Sequence, residues 1–208
     1  MRTIQNVQHT RPAKQVRPTA IFPLQGEPPL RLYTSCAPAY TALTALRGEP
    51  VVFVGDDANL SISFREQTGA PLDYGRLLTA LKRETATLEA HLIVTGITLE
   101  QHERAKALER LGYCVHRIPH PNVDVAVGFV LGRLTARHTK LRSIWALATG
   151  DGALGLCLAG ALYAALDRPR IVTLSVRHST ALALRQCPLI ARNLYLAADL
   201  ASAQPIHP

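Results

Sequence analysis

From residue 50 onward, short apolar runs alternate with segments whose apolar residues recur at helical spacing. Strands that alternate with helices of roughly 10–15 residues predict a mainly parallel sheet with helices on both faces. The strand signals lie at residues 50–55, 91–95, 113–118, 143–148, 170–176 and 194–196. The fourth run and the helix after it are apolar all round, which is typical of central elements that are covered on both sides. The chain is therefore predicted to be an α/β protein, a three-layer α/β/α sandwich.

Leucine spacing and capping residues place helices between these strands. Four leucines between residues 77 and 88 recur at helical spacing and predict one helix over residues 73–88. Another helix is predicted to begin after the capping residue Thr98 and to end at Gly112. The remaining helices are predicted at residues 123–138, 152–166 and 179–186. This order of elements is Rossmann-like in the broad sense.

Residues 1–49 differ in composition from the rest of the chain. They hold six Lys or Arg against two Glu, together with six prolines. Proline at this density breaks helices, so residues 1–30 or so are predicted to form an extended arm, followed by an apolar piece, Tyr33–Leu46, that suits a helix. The arm is either a solvated tail or an electrostatic tether for phosphate backbones. The predicted organisation is this arm, one domain at 50–200 and a tail at 201–208.

The composition excludes several classes of protein. An apolar fraction of 48% excludes wholesale disorder, and no run reaches the roughly 20 apolar residues of a membrane span. The first residues lack the apolar core of a secretory signal. Four scattered cysteines without a Cys-x-x-Cys pair indicate reduced thiols and neither a disulfide framework nor a zinc site. We expect a cytoplasmic protein with no membrane partner, and homo-oligomerisation stays open.

Three aspartates, Asp56, Asp124 and Asp151, each lie where a strand signal ends or a helix signal begins. Open α/β sheets build their sites at the carboxyl ends of strands, so we predict that these carboxylates converge. A group of carboxylates repels itself and usually implies a bound divalent metal. In a chain with a formal net charge of +8, an acidic pocket suggests nucleic acid as the substrate. The structural alternatives are an Asp/Asn-rich turn and an acid that stabilises a helix N-terminus.

The segment after the fourth strand also matches a dinucleotide-binding pattern. Gly150, Gly152 and Gly155 have the spacing Gly-x-Gly-x-x-Gly, which makes a nicotinamide or flavin enzyme an alternative. Two features oppose this interpretation. The pattern normally follows the first strand, with an acid about 20 residues further on. Asp151 also places a carboxylate where the pyrophosphate would lie.

Taken together, these motifs resemble the NYN domain family, the PIN-like nucleases that include the LabA-type bacterial proteins. The resemblance covers residues 50–200 and rests on four segments: Asp-x-x-Asn-Leu at 56–60, Val-Asp-Val at 123–125, Thr-Gly-Asp at 149–151 and Ser-x-x-Leu at 179–182. It implies a PIN-like fold and a metal-dependent endoribonuclease. In that case Asp56, Asp124 and Asp151 hold Mg²⁺ or Mn²⁺, Asn59 positions a phosphate or a water, and Thr149 supports the Asp151 loop.

The chain departs from the family pattern at two supporting acids. Val130 stands six residues after Asp124, and Ala153 stands two residues after Asp151, where many members carry carboxylates. Magnesium needs only one or two protein carboxylates, so the three remaining acids suffice in principle. The alternative is a catalytically degenerate RNA-binding or scaffolding module that kept the fold.

Basic residues crowd between the second and third motifs: Arg133, Arg137, Lys140 and Arg142. One interpretation is that they flank the acidic pocket and guide an RNA backbone into it. The other is a solvated helix end, where cations also complement the helix dipole. His116, His120 and His138 are scattered along the sequence and are expected to be surface or capping residues.

Overall fold

The computed structural model describes residues 43–119, 124–138 and 142–202. These residues form one sheet of six strands. The strands are β1 (Pro50–Asp56), β2 (Thr87–Thr95), β3 (Cys114–Ile118), β4 (Ile144–Ala148), β5 (Arg170–Ser175) and β6 (Arg192–Tyr195).

Six α-helices and one 3₁₀ turn complete the described residues. The helices are α1 (Asp57–Thr68), α2 (Tyr74–Glu84), α3 (Leu99–Leu111), α4 (Asp124–Arg137), α5 (Gly152–Ala165) and α6 (Leu182–Arg185), with the 3₁₀ turn at Ala198–Leu200. Of the described helices, none is both long and apolar enough to cross a bilayer.

The strands lie in the order β3-β2-β1-β4-β5-β6, and each adjacent pair is parallel. This confirms the predicted three-layer α/β/α architecture with a parallel sheet. Strands β1 and β4 are neighbours in the sheet although four helices and two strands separate them in sequence. The chain changes direction across the sheet between them, and ligand sites of open α/β proteins lie at such a switch point.

The two faces of the sheet carry two separate apolar layers because successive strand residues point in opposite directions. In β1, Val51 and Phe53 face helices α1, α2 and α3, whereas Val52 and Val54 face α4, α5 and α6. Strand β4 alternates in the same way and is buried throughout, with Trp145 1% exposed. The expectation of cover on both sides is confirmed for β4. It is wrong for α5, which buries one face against the sheet and exposes Leu156 and Tyr163 on the other.

The predicted boundary between the helix at 73–88 and the strand at 91–95 is wrong, because β2 already begins at Thr87. The helix predicted over residues 73–88 ends at Glu84, and Leu88 lies in β2, where it pairs with Val51. The backbone of Thr85 is extended, and its hydroxyl donates to the Leu81 carbonyl, which closes the last turn of α2. The helical spacing of leucines continues to Leu88, but the pairing of β2 with β1 gives Leu88 an extended conformation.

Residues 1–42 of the predicted N-terminal arm and residues 203–208 of the predicted tail lie outside the described residues. The described part begins at Leu43, and Leu46 is fully buried against α2 and β1. The apolar end of the Tyr33–Leu46 piece therefore packs on the domain.

Candidate functional site

Asp56 is the last residue of β1 and lies at the carboxyl edge of the sheet beside β4. Its side chain is the N-cap of α1: Oδ1 accepts from the backbone N–H of Ala58 at 3.0 Å and of Asn59 at 3.3 Å. Asp56 is only 8% exposed. The structural alternative, a capping acid, is therefore part of what Asp56 does, and both bonds end on one of its two oxygens.

Asp56 is also buried near other negative charges, which the role of an N-cap residue does not require. Burial raises the pKa of its carboxyl group; the two backbone hydrogen bonds oppose this, and the charges of Asp57 and Asp124 add to it. Asp124, the exposed first residue of α4, is therefore close enough to repel Asp56. The structure brings these two predicted site residues together from positions 68 residues apart.

Asp151 lies just after the neighbouring strand β4 and is exposed. Its Oδ1 accepts from the backbone N–H of Leu154 at 3.0 Å, so Asp151 is the N-cap of α5. The Asp151 N–H donates to Thr149 Oγ1 at 3.1 Å, as expected of a threonine that supports this loop. The first and third acids therefore cap helices in the same way on adjacent strands.

Asn59 connects the first motif to the third. It is the third residue of α1 and not its cap, because Asp56 occupies that position. Its Oδ1 accepts from the backbone N–H of Gly150 at 2.9 Å. Asn59 thus holds the loop of Asp151 against the start of α1. We refer to Asp56, Asn59, Asp124 and Asp151 as the carboxyl-edge site.

The three carboxylates do not form a closed cage. Within the described residues, the set of three potential metal ligands whose atoms all lie within 4.8 Å of one another is His91, Cys114 and His116, and the aspartates are not such a set. An ion at the carboxyl-edge site would therefore need side-chain movement or bridging water, both common for magnesium.

Asp57 does not add a ligand to the carboxyl-edge site. It is 5% exposed, and Arg104 of α3 binds it through two hydrogen bonds, Nε–Oδ2 at 2.6 Å and Nη2–Oδ1 at 2.8 Å. The guanidinium also lies 5.5 Å above the ring of Tyr74. Asp57 therefore points towards the α1–α3 layer, and its role is to pair with Arg104.

The glycine pattern after β4 has a packing explanation. A Cβ on Gly150 would lie 2.7 Å from the Ser179 carbonyl oxygen, and one on Gly155 would lie 2.5 Å from Leu184 Cδ2. A Cβ on Gly152 would lie 2.9 Å from that of Ala181. The three glycines let the segment before α6 pack closely on the start of α5. This contact also brings the fourth family-like segment, residues 179–182, to the third.

Two of the basic residues predicted to flank the acids lie elsewhere. Helix α4 runs from Asp124 away from the carboxyl edge, and at about 1.5 Å per residue Arg137 lies about 20 Å along its axis. There Arg137 Nη1 approaches Glu89 Oε1 at 3.7 Å. Arg142 precedes β4 and so lies at the amino edge, so neither Arg137 nor Arg142 lies beside the aspartates. Arg133 lies between Asp124 and Arg137 on α4, and Lys140 is outside the described residues.

Arg177 is a basic residue at the carboxyl edge that the sequence analysis missed. It is exposed and follows β5 by two residues, next to the Ser179 segment that contacts Gly150. The rule that singled out the aspartates, a polar residue just after a strand, applies equally to Arg177.

A second polar cluster lies on the same sheet, and its existence corrects the expectation that the histidines are scattered. It consists of Glu89 and His91 of β2, Cys114 and His116 of β3, and His138 after α4, and we call it the histidine cluster. His116 and His138 lie 25 and 47 positions after His91 in the sequence. They come close to His91 only through the pairing of β2 with β3 and the packing of α4 on the sheet, so their spacing in the sequence gave no signal. His120 lies outside the described residues.

A cavity of about 490 Å³ lies between α2 and the 3₁₀ turn, and Arg76, Arg83 and Tyr195 are among its lining residues. None of the aspartates of the carboxyl-edge site lines it. The cavity is therefore separate from that site.

The fold and the carboxyl-edge site define a doubly wound α/β/α protein with acidic residues at the switch point of its sheet. The chain matches no protein-family model and no curated protein sequence. Among solved structures, it is similar to the crystal structure of a protein of unknown function from Vibrio parahaemolyticus RIMD 2210633, with a TM-score of 0.61. The match has 15% sequence identity and covers 75% of this chain and 98% of that chain. This likeness shows the fold alone.

Proposed function

We propose that the protein is a metal-dependent endoribonuclease whose chemistry takes place at the carboxyl-edge site. The observation that carries the proposal is the placement of buried Asp56 beside Asp124 at the switch point of a parallel sheet. A buried carboxylate next to like charge is unfavourable unless a cation or a proton compensates it. The resemblance of four motifs to the NYN domain family supports the same reaction.

The donor set suits Mg²⁺ or Mn²⁺, because carboxylate oxygens are the ligands that these hard cations prefer. Asp56, Asp124 and Asp151 would hold the ion directly or through water. When bound, such an ion supplies an activated water and neutralises the leaving oxygen of a phosphodiester.

The chain's own hydrogen bonds explain how the acids stay in place. The described cap bonds of Asp56 and Asp151 end on Oδ1, so these bonds do not use either Oδ2. Asn59 fixes the distance between the two capped loops through its bond to Gly150. We infer that Asn59 is a positioning residue, because its amide oxygen is already used within the protein.

RNA is the proposed substrate because the chain is strongly basic outside this acidic edge, with a formal net charge of +8. At the edge itself, we propose that Arg177, which is exposed, contacts a phosphate next to the cleavage position.

The second candidate is a non-catalytic RNA-binding module with the same fold. Two observations favour it. The three acids are not gathered within 4.8 Å, and Val130, which stands where family members carry an acid, is 4% exposed in the core of α4 and α5. Val130 therefore contributes to core packing at the position where those members carry a carboxylate.

Cleavage of mixed RNA with Mg²⁺ or Mn²⁺, with and without EDTA, separates the two candidates. The test variant is Asp151→Asn, because asparagine caps helices as well as aspartate does and so preserves α5. We expect metal-dependent cleavage that this variant reduces by at least about a hundredfold, comparable to other losses of a charge-stabilising group. Asp167→Asn, in the loop after α5, is the matched control and should retain full activity.

Equal cleavage by wild type and Asp151→Asn would identify a contaminating nuclease and reject the proposal. Absence of cleavage with RNA binding retained would select the binding module. Calorimetric titration with Mg²⁺ then checks the site directly, since Asp124→Asn should weaken binding in a nuclease.

A further inference from the structure

The histidine cluster brings three good transition-metal ligands together on two neighbouring strands. His91 pairs in register with Cys114 across β2 and β3, so their side chains lie on the same face of the sheet. His116, two residues after Cys114, lies on that face as well. One ligand atom from each residue lies within 4.8 Å of the other two.

The distance between the imidazoles is close to that required by a shared ion. His91 Nδ1 lies 3.0 Å from His116 Nε2. Two nitrogens bound to one tetrahedral Zn²⁺ at about 2.0–2.1 Å lie about 3.3 Å apart, and a bound sulfur lies about 3.6 Å from each nitrogen. A shift of a few tenths of an ångström in the rings would therefore open the space for an ion.

Glu89 holds His91 in the tautomer that a metal requires. His91 Nε2 lies 2.8 Å from Glu89 Oε1, and a carboxylate there accepts the Nε2 proton. Nδ1 then carries the lone pair and faces His116. A histidine ligand whose second nitrogen donates to a carboxylate is the usual arrangement around protein-bound metals.

The surroundings of the cluster suit a partly buried ion. His91 is 1% exposed, whereas Cys114 is exposed, so an ion reaches the cluster from the β3 side. The Cys114 thiolate and Glu89 together offset the two charges of a divalent cation. Glu89 is held in turn by His138, whose Nε2 lies 2.7 Å from Oε2, and by Arg137.

We propose that His91 Nδ1, His116 Nε2 and the Cys114 thiolate form a binding site for a borderline transition-metal ion such as Zn²⁺, with water as the fourth ligand. One sulfur and two nitrogen ligands in tetrahedral geometry select Zn²⁺ over Mg²⁺. The ion ties the edge strand β3 to β2. This site is separate from the carboxyl-edge site, because its ligands lie on β2 and β3, whereas Asp56 ends β1 and Asp151 follows β4. His116 is level with Asp56 through Ile93 but lies two strands away from it.

Cobalt titration of the full-length protein tests the site. Co²⁺ replaces Zn²⁺ in tetrahedral sites, and its visible and thiolate charge-transfer absorption reports sulfur ligation. We expect one Co²⁺ per chain with a thiolate band that Zn²⁺ displaces. Cys114→Ser should abolish the band, whereas Cys157→Ser should keep it, since Cys157 is an exposed thiol on α5.

Two further variants separate metal ligation from folding. His116→Gln should lower Co²⁺ affinity by at least about tenfold, and Glu89→Gln by about 10–100-fold through loss of the bond to His91. His178→Gln, at an exposed position outside the cluster, should leave the affinity unchanged. Thermal unfolding without metal checks that each variant is folded.

No thiolate band in wild type, or an equal band in folded Cys114→Ser, would overturn the proposal. Asp151→Asn should bind Co²⁺ as wild type does, so failure of the proposed nuclease and failure of this site give different results.

Discussion

At the scale of single residues, Asp56 has a structural role as a helix cap and is also a candidate metal ligand. Asp56 stabilises the first turn of α1 as its N-cap, yet it is buried and faces the charges of Asp57 and Asp124. The first role requires only an acceptor oxygen, whereas a negative charge is unfavourable in such surroundings unless a cation is present. A carboxylate whose charged form is unfavourable and which lies at the switch point of a parallel sheet is a candidate metal ligand.

Asp56→Asn should therefore stabilise the metal-free protein at neutral pH. Because the folded-state pKa of Asp56 is raised, the folded chain favours the protonated carboxyl, and stability falls as pH rises from the ordinary Asp value of about 3.9 through the raised pKa. The variant keeps the cap acceptor and removes the charge. Thermal unfolding against pH should show a higher Tm for Asp56→Asn above that window and equal values below about pH 4.

Asp73→Asn is the control, because Asp73 caps α2 through the same kind of bond to Arg76 N–H. It should show no gain in Tm. If Asp56→Asn is no more stable than wild type at pH 7 in EDTA, the acidic repulsion at the edge is not significant. Added Mg²⁺ should narrow the difference by stabilising wild type.

At the scale of elements, the start of α5 is positioned by its contact with α6. Gly150, Gly152 and Gly155 lie against residues 179–184, and the Ala181 N–H donates to the Gly150 carbonyl at 3.0 Å. The buried Ser175 and Thr180 hydroxyls are 2.6 Å apart and fix the turn after β5. The spacing that resembles a dinucleotide fingerprint is thus used for packing one helix start on another.

Gly155→Ala should destabilise the protein by about 1–3 kcal/mol, the usual cost of overpacking a tight core contact. The added methyl would lie 2.5 Å from Cδ2 of Leu184, which is fully buried and has little room to move. Denaturant unfolding measures the change. Gly160→Ala, in the same helix with no atom within 4 Å of its added methyl, should be neutral or stabilising by about 0.5–1 kcal/mol. Equal effects of both variants would contradict the packing role of Gly155.

At the scale of the whole molecule, charge is distributed between opposite edges of the sheet. The three aspartates lie at the carboxyl edge, whereas Arg137 and Arg142 lie towards the amino edge. In the proposed binding mode, an RNA that reaches the acids meets Arg177 before it meets the end of α4. The N-terminal arm, with its net positive charge, adds contacts of its own in the proposed binding mode.

Arg177→Ala should weaken RNA binding more than Arg137→Ala, because of these two residues Arg177 is the one that lies at the carboxyl edge with the acids. For single-stranded RNA, loss of one phosphate contact lowers the slope of log affinity against log salt by about 0.7. Fluorescence anisotropy at several salt concentrations, with Asp151→Asn to prevent cleavage, measures both quantities. A larger effect of Arg137→Ala would place the RNA along α4 instead, as the sequence analysis suggested, and salt-insensitive binding would contradict phosphate recognition.

The sequence by itself determined the class of fold and the positions of the three acids along it. β-branched runs and helical spacing report local burial, so the strands, the two-sided cover and the strand-to-helix placement of Asp56 and Asp151 could be predicted from short segments. The same locality explains the error at Leu88, where helical spacing continued into a residue that the β1–β2 ladder made extended.

Only the tertiary structure decided which side chains meet. Asn59 bonds Gly150 across 91 positions, Arg104 binds Asp57 across 47, and His116 reaches His91 through strand pairing. Arg137 lies far from the acids for the same reason, since a helix of 14 residues carries its two ends towards opposite edges of the sheet. Contacts of this kind depend on strand order, register and helix direction, and short-range patterns in a single sequence contain none of these.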